Sequence, residues 1–200
     1  MKYRILPREF YAREPDVVAK ELLGKIFCRK IGDKILAGKI VETEAYLGKG
    51  DPAAIGLRKV KNAPQPLLNP PGCVFVYFTY GNHWMFNVIA KPPSCELGAV
   101  LIRAAEPWRE IDEMFKHRRA TNKKINKVEQ LCSGPGKFTQ CFKIDKSLQN
   151  TDVTKLGDIF VLDNSESFKI ESSHRIGVSR DLRKKLRFYI KGNKFVSNAR

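Results

Sequence analysis

Residues 41–48, VETEAYLG, set two carboxylates two positions apart in a run whose other residues suit a β-strand. A strand's period of two puts Ile40, Glu42, Glu44 and Tyr46 on one face and Val41, Thr43 and Ala45 on the other. The small apolar face belongs to the core. The opposite face holds two acids beside an aromatic ring, and two readings of it are open. One is the solvated face of an antiparallel strand. The other is a general base next to a stacking platform, with partial burial beside Tyr46 raising its pKa and a water or hydroxyl within hydrogen-bond reach.

Arg103 bears on that choice. It interrupts AVLIRAA (99–105), a segment apolar on both faces and therefore expected as a central strand. A guanidinium there is costly unless a carboxylate or phosphate pairs with it. The partner is either any acid in a structural ion pair, Glu42 included, or Glu44 or a bound phosphate at a working site.

The run 75–87, FVYFTYGNHWMFN, reads as a hairpin, with strand-forming residues on both sides of Tyr80-Gly81-Asn82-His83 and Gly-Asn favouring a tight turn. A tyrosine at a hairpin tip has no core to bury it. Tyr80 is either an exposed turn aromatic or a wedge that fills the gap left by an extruded nucleotide. Tyr77 falls on the opposite strand face and is free to point into a pocket, and Asn87 on the return strand offers an amide to a base edge. In SGPGK (133–137), Ser133 is expected to cap and Pro135 to open a short helix. Its free amides and Lys137 form an anion site suited to DNA phosphate, without the spacing of a Walker loop.

The elements that must position these groups follow from periodicity and breakers. A helix is expected over 15–23, with Pro15 in its first turn and Gly24 at its end. Strands are expected over 25–30, 35–47, 73–79, 84–90, 99–105, 159–162, 168–171 and 186–191. Residues 48–72, rich in Gly, Pro, Lys and Asn, read as a long functional loop. Pro107 opens a second helix to about residue 119, with Trp108, Ile111 and Phe115 on its apolar side and a basic KHRR end. Strands outnumber helices and short turns join them. This predicts a mixed α/β fold of the α+β kind, a largely antiparallel sheet with packed helices in a single domain over 1–200.

Thirty-seven Lys and Arg against 21 Asp and Glu give a net charge of +16. That balance favours a polyanionic partner, above all nucleic acid, although a basic proteome or a membrane-surface protein shares it. Five cysteines (28, 73, 95, 132, 141) show no CxxC, and the three histidines add no ligand spacing, so no metal is expected and the thiols read as reduced and intracellular. MKYRILPREFY lacks the apolar core of a signal peptide, and no apolar run approaches the ~20 residues of a membrane span.

Taken in order, VETEAYLG (41–48), VYFTYGNHWMFN (76–87), VLIRAAEP (100–107), LCSGPGK (131–137) and RIGVS…LRFYIKGN (175–193) resemble the alkyladenine (3-methyladenine) DNA glycosylase family, as do LPREFY and KELLGK (20–25). The resemblance covers nearly the whole chain. It implies one domain with a curved antiparallel sheet and a protruding hairpin. It also implies excision of 3-methyladenine and other alkylated purines, with hypoxanthine and ethenoadenine as further candidates, from duplex DNA by base flipping in base-excision repair. No metal or organic cofactor is implied, and the expected setting is a monomer in the cytoplasm or nucleoid of a prokaryote-like cell. By position, Glu44 matches the family's general base and Arg103 the arginine beside it. Tyr46 and Tyr77 match the stacking aromatics, Asn87 the amide that discriminates against guanine, and Tyr80 the tyrosine inserted in the minor groove. Two positions depart: Ile55 stands where the family usually has a pocket histidine, and Asn82 beside the wedge where methionine is common. Loop 57–70 is one residue short of the family pattern, and no DNA contact is assigned to it. Two other classes stay open: a non-catalytic binder of distorted or single-stranded nucleic acid, and a bifunctional glycosylase whose lysine forms a Schiff base.

Overall fold

A thirteen-residue strand, β2 (Lys34–Tyr46), is the axis of the molecule. The computed structural model describes residues 3–48, 50–54, 68–79 and 81–197. Along one side β2 pairs with β5 (Ala99–Arg109) over most of its length. Along the other it pairs first with β1 (Ile26–Ile31) and then, at residues 42–44, with β8 (Arg187–Ile190). Beyond β5 lie β4 (His83–Ile89) and β3 (Val74–Thr79), which form the edge hairpin; beyond β1 lies β6 (Ile159–Leu162). β7 (Ile170–Ser173) pairs with β8. Every pairing is antiparallel, and the sheet curls into a half-barrel.

The curl has a local cause. The β2–β5 register breaks between Ala37/Gly38, Ile40/Glu42 and Glu42/Thr43, and such bulges bend a strand and re-aim its side chains. A regular period places Ile40 with the glutamates, but the bulge at Val41 reverses that. Ile40, Val41 and Ala45 all pack into the main core. On β5 the unpaired residue between Ala104 and Ile102 is Arg103. Its neighbours Ile102 and Ala104 face the core, and it turns to the glutamate side.

The core face of the sheet is covered by α2 (Pro15–Glu21), which follows the short α1 (Arg8–Tyr11), and by α4 (Pro135–Cys141). Thr43 Oγ1 donates to the Ala19 carbonyl at 2.8 Å, tying β2 to α2. Phe27 packs edge-on against Phe86, Phe138 and Phe142 with ring centroids 4.9–5.2 Å apart, the geometry aromatic quadrupoles favour.

Several expected boundaries move. Pro107 does not open a helix. It sits in β5 opposite Gly38 at a register break, where its missing N–H disturbs the ladder least. The helix, α3, is Ile111–Arg119; Ile111 and Phe115 pack against the core as expected, whereas Trp108 is on the strand, half exposed, edge-on to Tyr3. Ser133 is not a cap: the N-cap position of α4 is Gly134, with no side-chain cap, and Ser133 forms a bridge with Ala104. The strand expected over 168–171 begins two residues later. Among the described residues no helix is long and apolar enough to cross a membrane.

Candidate active site

Register across three strand pairs lines up the groups of interest. Glu44 of β2 is opposite Leu101 of β5, Leu101 is opposite Asn87 of β4, and Asn87 is opposite Phe75 of β3. Strand spacing puts Glu44 and Asn87 about 10 Å apart along this row. One step over, Tyr77 faces Met85. A small apolar cluster of Tyr46, Phe75, Met85, Ile89 and Leu101 forms the bed. Above it opens a pocket of about 430 Å³, lined by Tyr46, Tyr77, Met85, Arg103, Pro135 and the loop 176–179. That volume lies in the range of small-molecule sites and accommodates a purine.

Both glutamates are fully buried, which removes the solvated-strand reading. Glu42 Oε1 accepts from Arg103 Nε at 2.8 Å, Arg187 Nε at 2.7 Å and the Ser197 hydroxyl at 2.8 Å; Oε2 accepts from the Ser197 N–H at 2.7 Å. Glu44 is held differently. Its Oε1 accepts from the Ile176 N–H at 2.8 Å and pairs with Arg103 Nη1 at 3.0 Å, while among the described residues Oε2 accepts only from the Tyr46 hydroxyl, at 3.0 Å. Glu44 does not line the pocket, but Tyr46, Arg103 and Ile176, which hold it, do. Burial pushes its carboxyl above the ordinary range, against Arg103, the Ile176 N–H and the Tyr46 hydroxyl, which pull it down. Burial also works against the charge of Arg103, but Glu44 and Glu42 outweigh it and hold the guanidinium protonated. Arg103 therefore unites the two readings of the sequence: one guanidinium serves a structural pair and the candidate base at once.

A second buried ion cluster shapes the rim. Gly48, at φ +87°, turns the chain sharply after β2; a Cβ there would lie 2.4 Å from the Leu97 carbonyl oxygen. The turn delivers Asp51, which accepts from the Leu47 and Ala53 N–H groups at 3.0 Å and from Arg175 at 2.7 and 2.8 Å. Arg175 also donates to Asp181 at 2.7 and 2.9 Å and to the Ala45 carbonyl at 3.0 Å, and its guanidinium lies 4.7 Å from the Tyr46 ring centroid. Burial would raise both aspartates, yet Arg175 and backbone N–H donors hold them below the usual carboxylate range. The cluster fixes the two loops, 47–54 and 175–182, that carry the pocket's Pro52, Ala53 and Ile176.

Of the other expected site residues, Tyr77 lies on the pocket wall, half-buried, its ring tilted against Phe75 at 5.4 Å. Asn87 is fully buried behind that wall; its Nδ2 donates to the Phe75 carbonyl at 3.3 Å and its Oδ1 has no partner among the described residues. Asn82 is exposed at the hairpin turn. Lys137 is exposed in the first turn of α4 and lines a neighbouring cleft of about 470 Å³ with His83 and Arg118, which shares Met85 and Pro135 with the pocket. Ser133 lines neither space. Tyr80 and Ile55 lie outside the described residues. Reasoning from sequence missed Asp51, Asp181, Arg187 and Ser197 and assigned Arg175 no role. A charge count was the available signal, because two buried acids on one strand face need more than one buried cation.

The model of the methylpurine-DNA glycosylase family matches residues 9–194. The chain is 40% identical over 196 residues to a protein of Carboxydothermus hydrogenoformans, covering 96% of this chain and 98% of that one. It is 39% identical over 202 residues to one of Chlorobium phaeobacteroides, covering 98% of each. It is 35% identical over 198 residues to one of Koribacter versatilis, covering 98% of this chain and 94% of the relative. Each of these carries the provisional name 3-methyladenine DNA glycosylase.

Proposed function

The chain belongs to the methylpurine-DNA glycosylase family, and from that premise we propose that it hydrolyses the N-glycosidic bond of 3-methyladenine and related damaged purines in duplex DNA, with Glu44 as general base. The observation that carries this reading is the state of Glu44: a fully buried carboxylate whose Oε2 has one partner among the described residues, set behind a purine-sized pocket walled by two tyrosines.

A base stacked in duplex DNA is out of reach of such a pocket, so the nucleotide is extruded at a cost of a few kcal/mol, least where damage has weakened pairing. Tyr80, assigned to the hairpin turn from the sequence alone, fills the gap, and the Lys137 cleft takes backbone phosphate. Tyr46 and Tyr77 offer ring faces to the purine. Around them the buried carboxylates Glu42, Glu44 and Asp51 and the partly buried Asp181 face the guanidiniums of Arg103, Arg175 and Arg187. The ring faces of the tyrosines favour a purine made cationic by alkylation. Asn87, buried behind the pocket wall, is the amide that discriminates against guanine's exocyclic amine.

In the chemical step the C1′–N9 bond breaks and its electron pair leaves with the purine, neutralising the alkylated ring. Water oxygen bonds to C1′ and its proton passes to Glu44 Oε2, leaving an abasic site and a free base. Burial makes Glu44 a stronger base than an exposed carboxylate, and Arg103 with the Ile176 N–H holds it on the Oε1 side so that Oε2 faces the reaction. The protein acts as a monomer with a water nucleophile.

Incubation with duplex DNA carrying one 3-methyladenine, hypoxanthine or ethenoadenine, followed by cleavage at abasic sites, tests the proposal. Strand breaks are expected with wild type, and Glu44→Gln is expected to bind the lesion duplex without releasing base. Normal turnover by Glu44→Gln would sink the assignment. Binding by wild type without breaks would favour a non-catalytic nucleic-acid module, and a borohydride-trapped adduct would replace water by a lysine nucleophile.

A further inference from the structure

The match to the family model ends at residue 194, yet Glu42, the carboxylate on Arg103 Nε, is held from beyond it. Ser197 donates to Glu42 twice, from its N–H to Oε2 at 2.7 Å and from its hydroxyl to Oε1 at 2.8 Å. Its carbonyl accepts from Arg187 Nη2 at 2.9 Å, so Arg187 bridges Ser197 and Glu42. The segment is built in rather than draped over the surface. Phe195 is 5% exposed in the main core, its N–H donates to Asn193 Oδ1 at 2.9 Å, and Asn193 Nδ2 donates to Glu106 at 3.0 Å.

We infer that Ser197, acting through Glu42, is a positioning residue for Arg103: by holding the Glu42 carboxylate on Arg103 Nε it leaves Glu44 to pair at Nη1 and so sets how much positive charge the general base receives. The inference rests on the reading of Glu44 as that base. One guanidinium within 3.0 Å of two carboxylates must divide its charge between them, and the donors from Ser197 and Arg187 decide the division. Without the Ser197 hydroxyl, the charge of Glu42 is less offset and opposes ionisation of Glu44. With Glu42 made neutral, Arg103 serves Glu44 alone and ionisation becomes easier. The two changes therefore move the acid limb of activity in opposite directions. A residue that merely stabilised the fold would lower the rate at every pH and leave the limb where it was.

The test measures single-turnover release of ethenoadenine from duplex DNA across pH for wild type, Ser197→Ala, Ser197→Thr and Glu42→Gln, with thermal melts alongside. Ser197→Ala is expected to lose roughly tenfold, one charge-assisted hydrogen bond transmitted to the base, with its acid limb at higher pH. Ser197→Thr restores both. Glu42→Gln moves the limb to lower pH. An unmoved limb in Ser197→Ala, or a shift the same way in Glu42→Gln, overturns the proposal. If Glu42→Gln does not fold, the Ala and Thr variants at Ser197 decide it. Carbon-13 NMR titration of the Glu44 carboxyl reads the same shifts without substrate, so an inactive wild type would count against the glycosylase reading and leave this test intact.

Discussion

Glu42 and Glu44 stand two residues apart on one strand, share one arginine and are both sealed from solvent, yet their surroundings differ in kind. Glu42 receives four donors, two of them guanidinium nitrogens and two from Ser197. Among the described residues Glu44 receives three, one from the shared Arg103, and keeps one oxygen with a single tyrosine hydroxyl beside a pocket. Burying a carboxylate costs several kcal/mol. Glu42, bonded on both oxygens, is a fixed part of the framework. Where the cost is offset only in part, the carboxyl is pushed upward and becomes a stronger base. What separates the two acids is how their oxygens are bonded, not the residue type.

The sharpest way to break this comparison is to neutralise each acid in turn. Glu44→Gln is expected to lower single-turnover base release by about 10²–10⁴-fold, the range of general-base catalysis, while leaving the melting temperature equal or higher, because a costly buried charge is removed. Glu42→Ala should show the opposite emphasis, a loss of about 3–5 kcal/mol in urea unfolding, since it takes from Arg187 its carboxylate partner among the described residues and leaves Arg103 with Glu44 alone. Equal stability losses in the two variants would erase the distinction.

Acid separates the two kinds of group in one titration. The Glu44 carboxyl titrates above the unfolded value of about 4.3, so falling pH protonates it early; this switches off activity and slightly favours the fold. Asp51 and Asp181 are depressed, so the stability they contribute is present above about pH 3.9 and is lost only as pH falls through their lower folded values. A pH window should therefore exist in which the protein is folded by circular dichroism and inactive. Activity that persists down to the unfolding transition would contradict it. The smallest expected effect is that of Tyr46→Phe, which removes the only donor on Glu44 Oε2 among the described residues. It should slow base release by roughly tenfold or less and move the acid limb to higher pH, because the ionised form loses a hydrogen bond.

Much of this site could be read locally. The spacing of Glu42, Glu44 and Tyr46 put all three on one strand face, and the apolar run around Arg103 required that its charge be paired inside. The hairpin 75–87 was equally legible, since two strand-forming runs around Gly81-Asn82 leave few alternatives. The misread elements are those where a neighbour overrode local preference. Pro107 reads as a helix start until Gly38 and the register break across from it are known. Ser133 reads as a cap until Ala104 is seen to pair with it. Ile40 leaves its expected face because of a bulge that exists only between two strands.

By itself, then, the sequence determined which groups were available: two carboxylates at strand spacing, one arginine in an apolar run, two tyrosines near them, and a strongly basic chain around them. Only the tertiary structure decided which acid is compensated and which is poised. Glu44 meets the Ile176 N–H across 132 residues, and Glu42 meets Arg187 across 145 and Ser197 across 155. Desolvation and Coulomb energy depend on distance through space and on access of water, and neither quantity is carried by separation along the chain.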